Sequence, residues 1–291
     1  MKDGPKEFLP LSPAILHILL TLTAGATAIV SLHAAPQEAP PAFDVASIKR
    51  DVSGEPGGIF TCVPACHIER MTVRELVVFA YRVHDFQVTG GPGWIDSERY
   101  NIDAKAEGAP SFNQEYVTLQ YRRLQTLLRD RFNLTIHRET KELPVYELTV
   151  AKGGPKLRPP NCVQREPGDF AIAPGKYCGL IGGFMAGGRL QASGTTIANL
   201  ANFLSSMLSR TVVDKTGITG EFDLQLTFTP DRSSVPSPNV PEPRPADGAA
   251  AADLGPDIFT AMQEQLGLKL ESAKGPVEIR VIEHVERPSE N

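Results

Sequence analysis

The chain has no G-x-S-x-G elbow, no paired C-x-x-C motif and no glycine loop set between a strand and a helix start. Each absence removes a class of function. Without the elbow, the strand-turn-helix setting of a nucleophilic serine is missing. Of the six histidines, His17 and His33 fall in the apolar N-terminal stretch, which leaves few partners for a nucleophile. Structural zinc asks for four ligands, usually as two close pairs, whereas Cys62, Cys66 and His67 are joined only by isolated His84 and His137. Gly90, Gly91 and Gly93 stand between two extended stretches, so no helix N-terminus follows them to receive a phosphate. No cofactor and no metal are expected.

Excess positive charge is also missing. The 29 basic residues are outnumbered by 34 acidic ones, and the net charge of -5 weighs against general affinity for nucleic acid or anionic lipid. Arg122, Arg123, Arg129 and Arg131 are interleaved with Asp130 and have no aromatic platform, which reads as a solvated helix face.

What is present suits an exported globular chain. Apolar residues make up 41% of 291, enough for a real core, and 25 glycines with 25 prolines demand many loops. After Lys2 and Lys6, residues 14–32 are uncharged and mostly apolar, and a Pro-rich stretch follows Ala35. Residues 1–35 therefore read as a signal peptide, or as an uncleaved anchor that would be the only membrane attachment. The expected location is the periplasm or the extracellular space. An even count of four cysteines fits an oxidising compartment. Of three connectivities, the local one is expected: Cys62 with Cys66, and Cys162 with Cys178.

Along the chain, Phe43 opens a first strand, and Thr72 with Glu75 three residues on forms a capping box for a helix carrying Leu76, Phe79, Ala80 and Val83 at helical spacing. Residues 86–106 read as strand, glycine turn, strand. A helix capped by Ser111 and Gln114 follows, with Tyr121, Leu124, Leu127, Leu128 and Phe132 on one stripe. Two separate strands, 134–138 and 145–150, close the unit.

The order then recurs. Thr196, Leu200 and Phe203 each lie 124 residues after Thr72, Leu76 and Phe79, and Gly217 follows Gly93 at the same offset. Residues 212–228 repeat the strand-turn-strand, 257–266 the helix, and Val277, Ile279 and Val281 the last strand. The expected fold is α+β: two tandem units, 43–154 and 177–291, joined by a loop over 155–176. Each unit is read as strand-helix-strand-strand-helix-strand-strand. Residues 230–256, rich in Pro, Ala and Ser, read as a disordered excursion.

The runs GGPGWIDSERYNIDAKA, LQTLLRDRFNLTIHRETKELPVYELTVAKGGPKL, VVDKTGITGEFDLQLTF and MQEQLGLKLES, with the ending VIEHVERPSEN, resemble an exported family of soil bacteria known as a soil-associated family of unknown function. The resemblance implies no activity. Some members carry this module after an antibiotic-sensor type membrane peptidase domain, which implies an envelope setting. The Cys62-x-x-x-Cys66 turn departs from the family pattern. The strand order also resembles the short N-terminal domain of secretins and TonB-dependent receptors, a periplasmic protein-protein module.

The function expected is a non-catalytic binding module of the cell envelope, with an unknown protein or envelope component as partner. The candidate interaction surface is the turn around Trp94, Asp96, Glu98 and Arg99. The alternatives are a hydrolase using Asp96, Glu98 or Asp103 between the units, and a purely structural envelope component.

Overall fold

Two long strands run through the middle of the molecule, and both cores are built against them. The computed structural model describes residues 39–55, 57–62, 65–107, 114–164, 176–182, 187–230 and 255–289. The fold is mixed α+β. Among the described residues it has three sheets and four α-helices: α1 (Val73–Tyr81), α2 (Gln114–Arg131), α3 (Ile197–Met207) and α4 (Ile258–Ala261). The strands are β1 (Val45–Asp51), β2 (Ile59–Cys62), β3 (Cys66–Thr72), β4 (Val88–Gly90), β5 (Arg99–Lys105), β6 (Thr135–Val150), β7 (Leu180–Gly182), β8 (Arg189–Thr195), β9 (Val212–Asp214), β10 (Phe222–Thr227) and β11 (Leu268–His284).

The first sheet has the order β1-β5-β3-β2 and the second β10-β8-β7, both antiparallel throughout. The central sheet has the order β4-β11-β6-β9. Its long inner strands are antiparallel, while β4 lies parallel to β11 and β9 parallel to β6.

The two closing strands expected over 134–138 and 145–150 are one strand, β6, and its two ends serve different cores. Ile136 packs with the first core, beside Ile282 and Val285 from the far end of the chain. Leu148 packs in the second core, beside Leu224, Leu226, Leu266 and Leu268. Pro144 does not break the strand. The Tyr146 N–H, two residues on, donates to Thr211 O (2.8 Å), away from β11, so the N–H that Pro144 lacks belongs on that outer side, where no strand pairs with it.

Local signals hold at the helix starts. Thr72 accepts from Glu75 N–H while the Glu75 carboxylate accepts from Thr72 N–H, which satisfies two of the donors that a helix start leaves free. Thr196 caps α3 by accepting from Asn199 N–H, and Asp257 caps α4, which runs on as a π turn over Met262–Leu266. Ser111 lies outside the described residues.

The buried face of α1 is Val73, Leu76, Val77 and Ala80. Phe79, expected inside with Leu76, is 39% exposed and stacks on Phe60 at 4.5 Å. The i, i+3, i+4, i+7 stripe that begins at Val73 leaves Phe79 on the rim.

The loop expected over 155–176 is bound to the second core where it is described: Lys156 N–H donates to Leu266 O (2.8 Å), and Arg158 bridges to Asp223. Most of the excursion expected over 230–256 lies outside the described residues, but its ends meet, with Thr229 N–H donating to Pro256 O (2.8 Å).

Cys62 bonds to Cys66 across the β2–β3 hairpin and Cys162 to Cys178, with Cα separations of 3.7 and 5.1 Å, so all four cysteines pair locally. Two disulfides indicate a location outside the cytoplasm. Among the described residues no helix is long and apolar enough to cross a membrane.

Candidate functional site

The turn between β4 and β5 is held against β11 by backbone proximity. Gly90 and Gly91 have φ of 80° and 79°, and a Cβ at Gly90 would stand 2.6 Å from Ile282 O, so both conformation and space call for glycine there. The turn continues as a single 3-10 turn, Gly93–Asp96, which buries Ile95 and leaves Trp94 half-buried.

Every candidate residue of this surface is engaged within the molecule. The Arg287 guanidinium lies 4.9 Å from the Trp94 ring centroid. It also donates to both oxygens of Glu98: Nε to Oε1 and Oε2 at 3.1 and 3.0 Å, and Nη2 to Oε1 at 2.7 Å. Tyr100 Oη donates to Glu98 Oε2 (3.2 Å), and Arg50 stands 3.5 Å from Oε1. The Arg287 hydrogen bonds hold the Glu98 carboxyl below its ordinary range. Burial first, then the Glu98 charge, pushes the Tyr100 phenol up to about 12.

Asp96 accepts from Arg74 Nε, and Arg74 Nη1 also donates to Val88 O (2.8 Å), which ties the turn to α1. Arg99 donates to Arg70 O (2.6 Å) and stands 3.4 Å from Glu75, so it supports the capping box from outside.

The three carboxylates weighed for hydrolysis do not converge on one point. Asp103 lies on the exposed face of the first sheet, directly opposite His67, whose Nδ1 is 2.6 Å from Asp103 Oδ1 and whose Nε2 is 2.9 Å from Glu69 Oε1. The hydrogen bond to Asp103, then that to Glu69, raises the His67 pKa. Glu98, at 12% side-chain exposure, is enclosed by cations, an arrangement that favours a permanent carboxylate over a proton donor. His137 and His284 stand on the surface, paired with Glu283 and Glu286.

Arg287 and Arg74 were not legible as members of this cluster. Arg287 reaches Glu98 across 189 positions, and nothing local in the ending VIEHVERPSEN marks it. Elsewhere, shallow concavities of about 410, 260 and 330 Å³ line the second half of the molecule, and the largest is edged by Lys152, Lys156 and Lys269. Among the described residues no group of histidines, cysteines and carboxylates has the arrangement of a metal site.

Comparison with curated proteins finds no match, and comparison with solved structures finds none either. Residues 74–285 match the family described as Protein of unknown function (DUF3738), and the chain belongs to that family.

Proposed function

We propose that this is a non-catalytic interaction module of the cell envelope, exported to the periplasm or the extracellular space, that binds a protein through an open strand edge. The observation that carries this reading is the outer edge of the first sheet. Among the described residues β2 pairs only with β3, Ile59 on it is 46% exposed, and the stacked Phe60–Phe79 pair forms an apolar rim beside it. A strand edge with apolar side chains next to it is a template for an incoming extended segment, whose main chain supplies affinity and whose alternate side chains supply specificity. The Cys62–Cys66 bond closes the hairpin that presents this edge, so less ordering is left to occur on binding.

The scaffold reads as a duplication in which the copies exchange their closing strands. Two observations support it. Val88 pairs with Arg280 and Val212 with Tyr146, so partners related by 124 residues on the short strands are related by 134 on the long ones. At that same offset of 134, Leu134, Ile136 and Leu148 correspond to Leu268, Leu270 and Ile282. In this reading residues 43–154 and 177–291 remain the two copies, but neither closes its own core.

The test is capture by the immobilised mature chain. Ile59→Lys with Thr61→Lys adds charge to the edge at two exposed positions, and it is expected to weaken capture of an envelope protein tenfold or more. Val163→Lys, at a position 59% exposed and away from the edge, should leave it unchanged. Capture insensitive to the edge variant, or turnover of a substrate by the purified chain, contradicts the reading.

A further inference from the structure

The second sheet has an edge that is nearly, but not wholly, covered. In β10 the Phe228 N–H, just past its end, donates to Gly188 O (2.8 Å), and Leu226 and Leu224 pair with Leu190 and Ala192 in the same register. The even-numbered residues therefore face β8, and the odd-numbered ones turn their N–H and C=O outward. Asp223 exchanges two hydrogen bonds with the Arg158 backbone, at 2.9 and 3.3 Å. Thr227 is met by a side chain instead: its N–H donates to Gln265 Oε1 (3.0 Å), and its C=O accepts from Gln265 Nε2 (2.7 Å).

Between them stands Gln225. Among the described residues no hydrogen bond takes up its N–H or its C=O. The reason is geometric. Continuing antiparallel from Arg158 would bring Lys156 opposite Gln225, but Lys156 N–H goes to Leu266 O and Pro155 has no N–H to offer. The segment peels away there and leaves a concavity of about 330 Å³ lined by Lys156, Arg158, Gln225, Thr227, Gln265 and Leu266.

This gap is one residue long and cationic. The Arg158 guanidinium has no partner among the described residues, and Lys156 Nζ donates to Glu264 O (2.7 Å) with its other two protons left over. Asp223 also lines the gap and keeps its charge, with its carboxylate oxygens turned to Asn161 N–H and Gly194 N–H, so two cations stand there against one anion. Of the lysines edging the adjoining concavity of about 410 Å³, Lys269 is paired with Glu271 (2.7 Å) while Lys152 has no partner among the described residues, so this face keeps a local excess of positive charge on a chain of net charge -5.

A strand running through would collide with Arg158 at one side and Gln265 at the other. A chain whose last residue lies opposite Gln225 stops short of Arg158 and has only the Gln265 side chain to displace from Thr227. The last residue of an extended peptide can donate its N–H to Gln225 O and accept the Gln225 N–H with one carboxylate oxygen, which leaves the second for Arg158 or Lys156. We propose that the β10 edge at Gln225 captures the free C-terminal carboxylate of a partner polypeptide. The site is separate from the β2 edge, and neither assignment depends on the other.

The experiment follows the Gln225 backbone amide by NMR in the 15N-labelled chain. Three probes are used: a library of N-acetylated tetrapeptides with a free carboxylate, the same library amidated at the C-terminus, and sodium acetate. The carboxylate library is expected to shift the Gln225 amide. Amidation and Arg158→Gln are each expected to weaken the effect tenfold or more, with the rest of the Arg158→Gln spectrum unchanged. A Gln225 amide that does not move at millimolar peptide, or amidated peptides that bind as well as acids, overturns the proposal. Acetate matching the peptides would mean an adventitious ion only and overturns it equally.

Discussion

The two outer sheets treat the same kind of edge differently. In the first, β5 is flanked on its outer side by a complete strand, β1, paired from Val45 with Lys105 to Asp51 with Arg99. In the second, the outer side of β10 is met by one residue of a passing segment, Arg158, and by one side-chain amide, Gln265. A full strand uses every outward donor and acceptor, whereas two isolated caps leave the position between them open. Backbone groups near a core have to be satisfied somewhere, so the unmatched residue is where an outside partner has most to offer.

Several measurements can break or sharpen this contrast. The largest effect is expected where the long strands are shared. Ile282→Ala removes a side chain 3% exposed in the first core and should cost about 2–5 kcal/mol. Because β6 and β11 enter both cores, Trp94 fluorescence and far-UV circular dichroism should report one coincident denaturation transition. Two separated transitions would mean that the halves are energetically independent.

Next comes the Cys162–Cys178 bond, which joins residues 16 apart beside the second sheet. Replacing both cysteines by serine should lower stability by about 3 kcal/mol in denaturant titration. Replacing Cys62 and Cys66, which enclose only a hairpin tip, should cost less. Equal losses would place the weight of the covalent scaffold evenly between the sheets.

Smaller again is the edge itself. Gln265→Ala removes both hydrogen bonds to Thr227, at about 1–2 kcal/mol, and should speed hydrogen exchange of the Thr227 amide about tenfold. An unchanged rate would mean that Gln265 does not cover that edge.

The smallest effects are in pH dependence, and they concern the first half. The Glu98 pKa is lowered on folding, chiefly by Arg287, so its contribution is present above the unfolded value near 4.5 and is lost as pH falls through the folded value. His67 is raised, chiefly by Asp103, so its contribution is present below 6.5 and is lost as pH rises through the folded value. Glu98→Gln should flatten the acid limb of the stability profile, and His67→Gln the neutral one. A profile unchanged by both would remove these pairs from the account.

Much of the fold was legible because it is written locally. The Thr72–Glu75 box and the alternation Phe222, Leu224, Leu226 need only near neighbours, and the structure carries them as the sequence suggests. The local pairing of the cysteines was legible for the same reason. What was not legible depends on distant partners. Nothing within residues 134–150 says that one strand will serve two cores, because that is decided by β11, more than a hundred residues on. Phe79 matches the helical period and still lies on the rim, since Val73 and Val77 set the buried stripe.

The site divides in the same way. Trp94, Asp96, Glu98 and Arg99 were readable as a polar turn, but Arg287 and Arg74, which occupy Glu98 and Asp96, come from elsewhere in the chain. Gln225 carries no signal of its own in the sequence. Its unmatched backbone arises because Lys156 N–H is drawn to Leu266 O rather than to β10.

The most direct test sets the two edges side by side: amide hydrogen exchange at Gln225 against Asp103, which stands opposite Ser47 of β1 in the first sheet. In the isolated chain Asp103 is expected to exchange only through large-scale opening, and Gln225 at close to the rate of an open amide. Adding peptides with a free C-terminus should then protect Gln225 alone. Protection at Gln225 equal to that at Asp103 in the isolated chain would show the edge already filled, and would contradict the account.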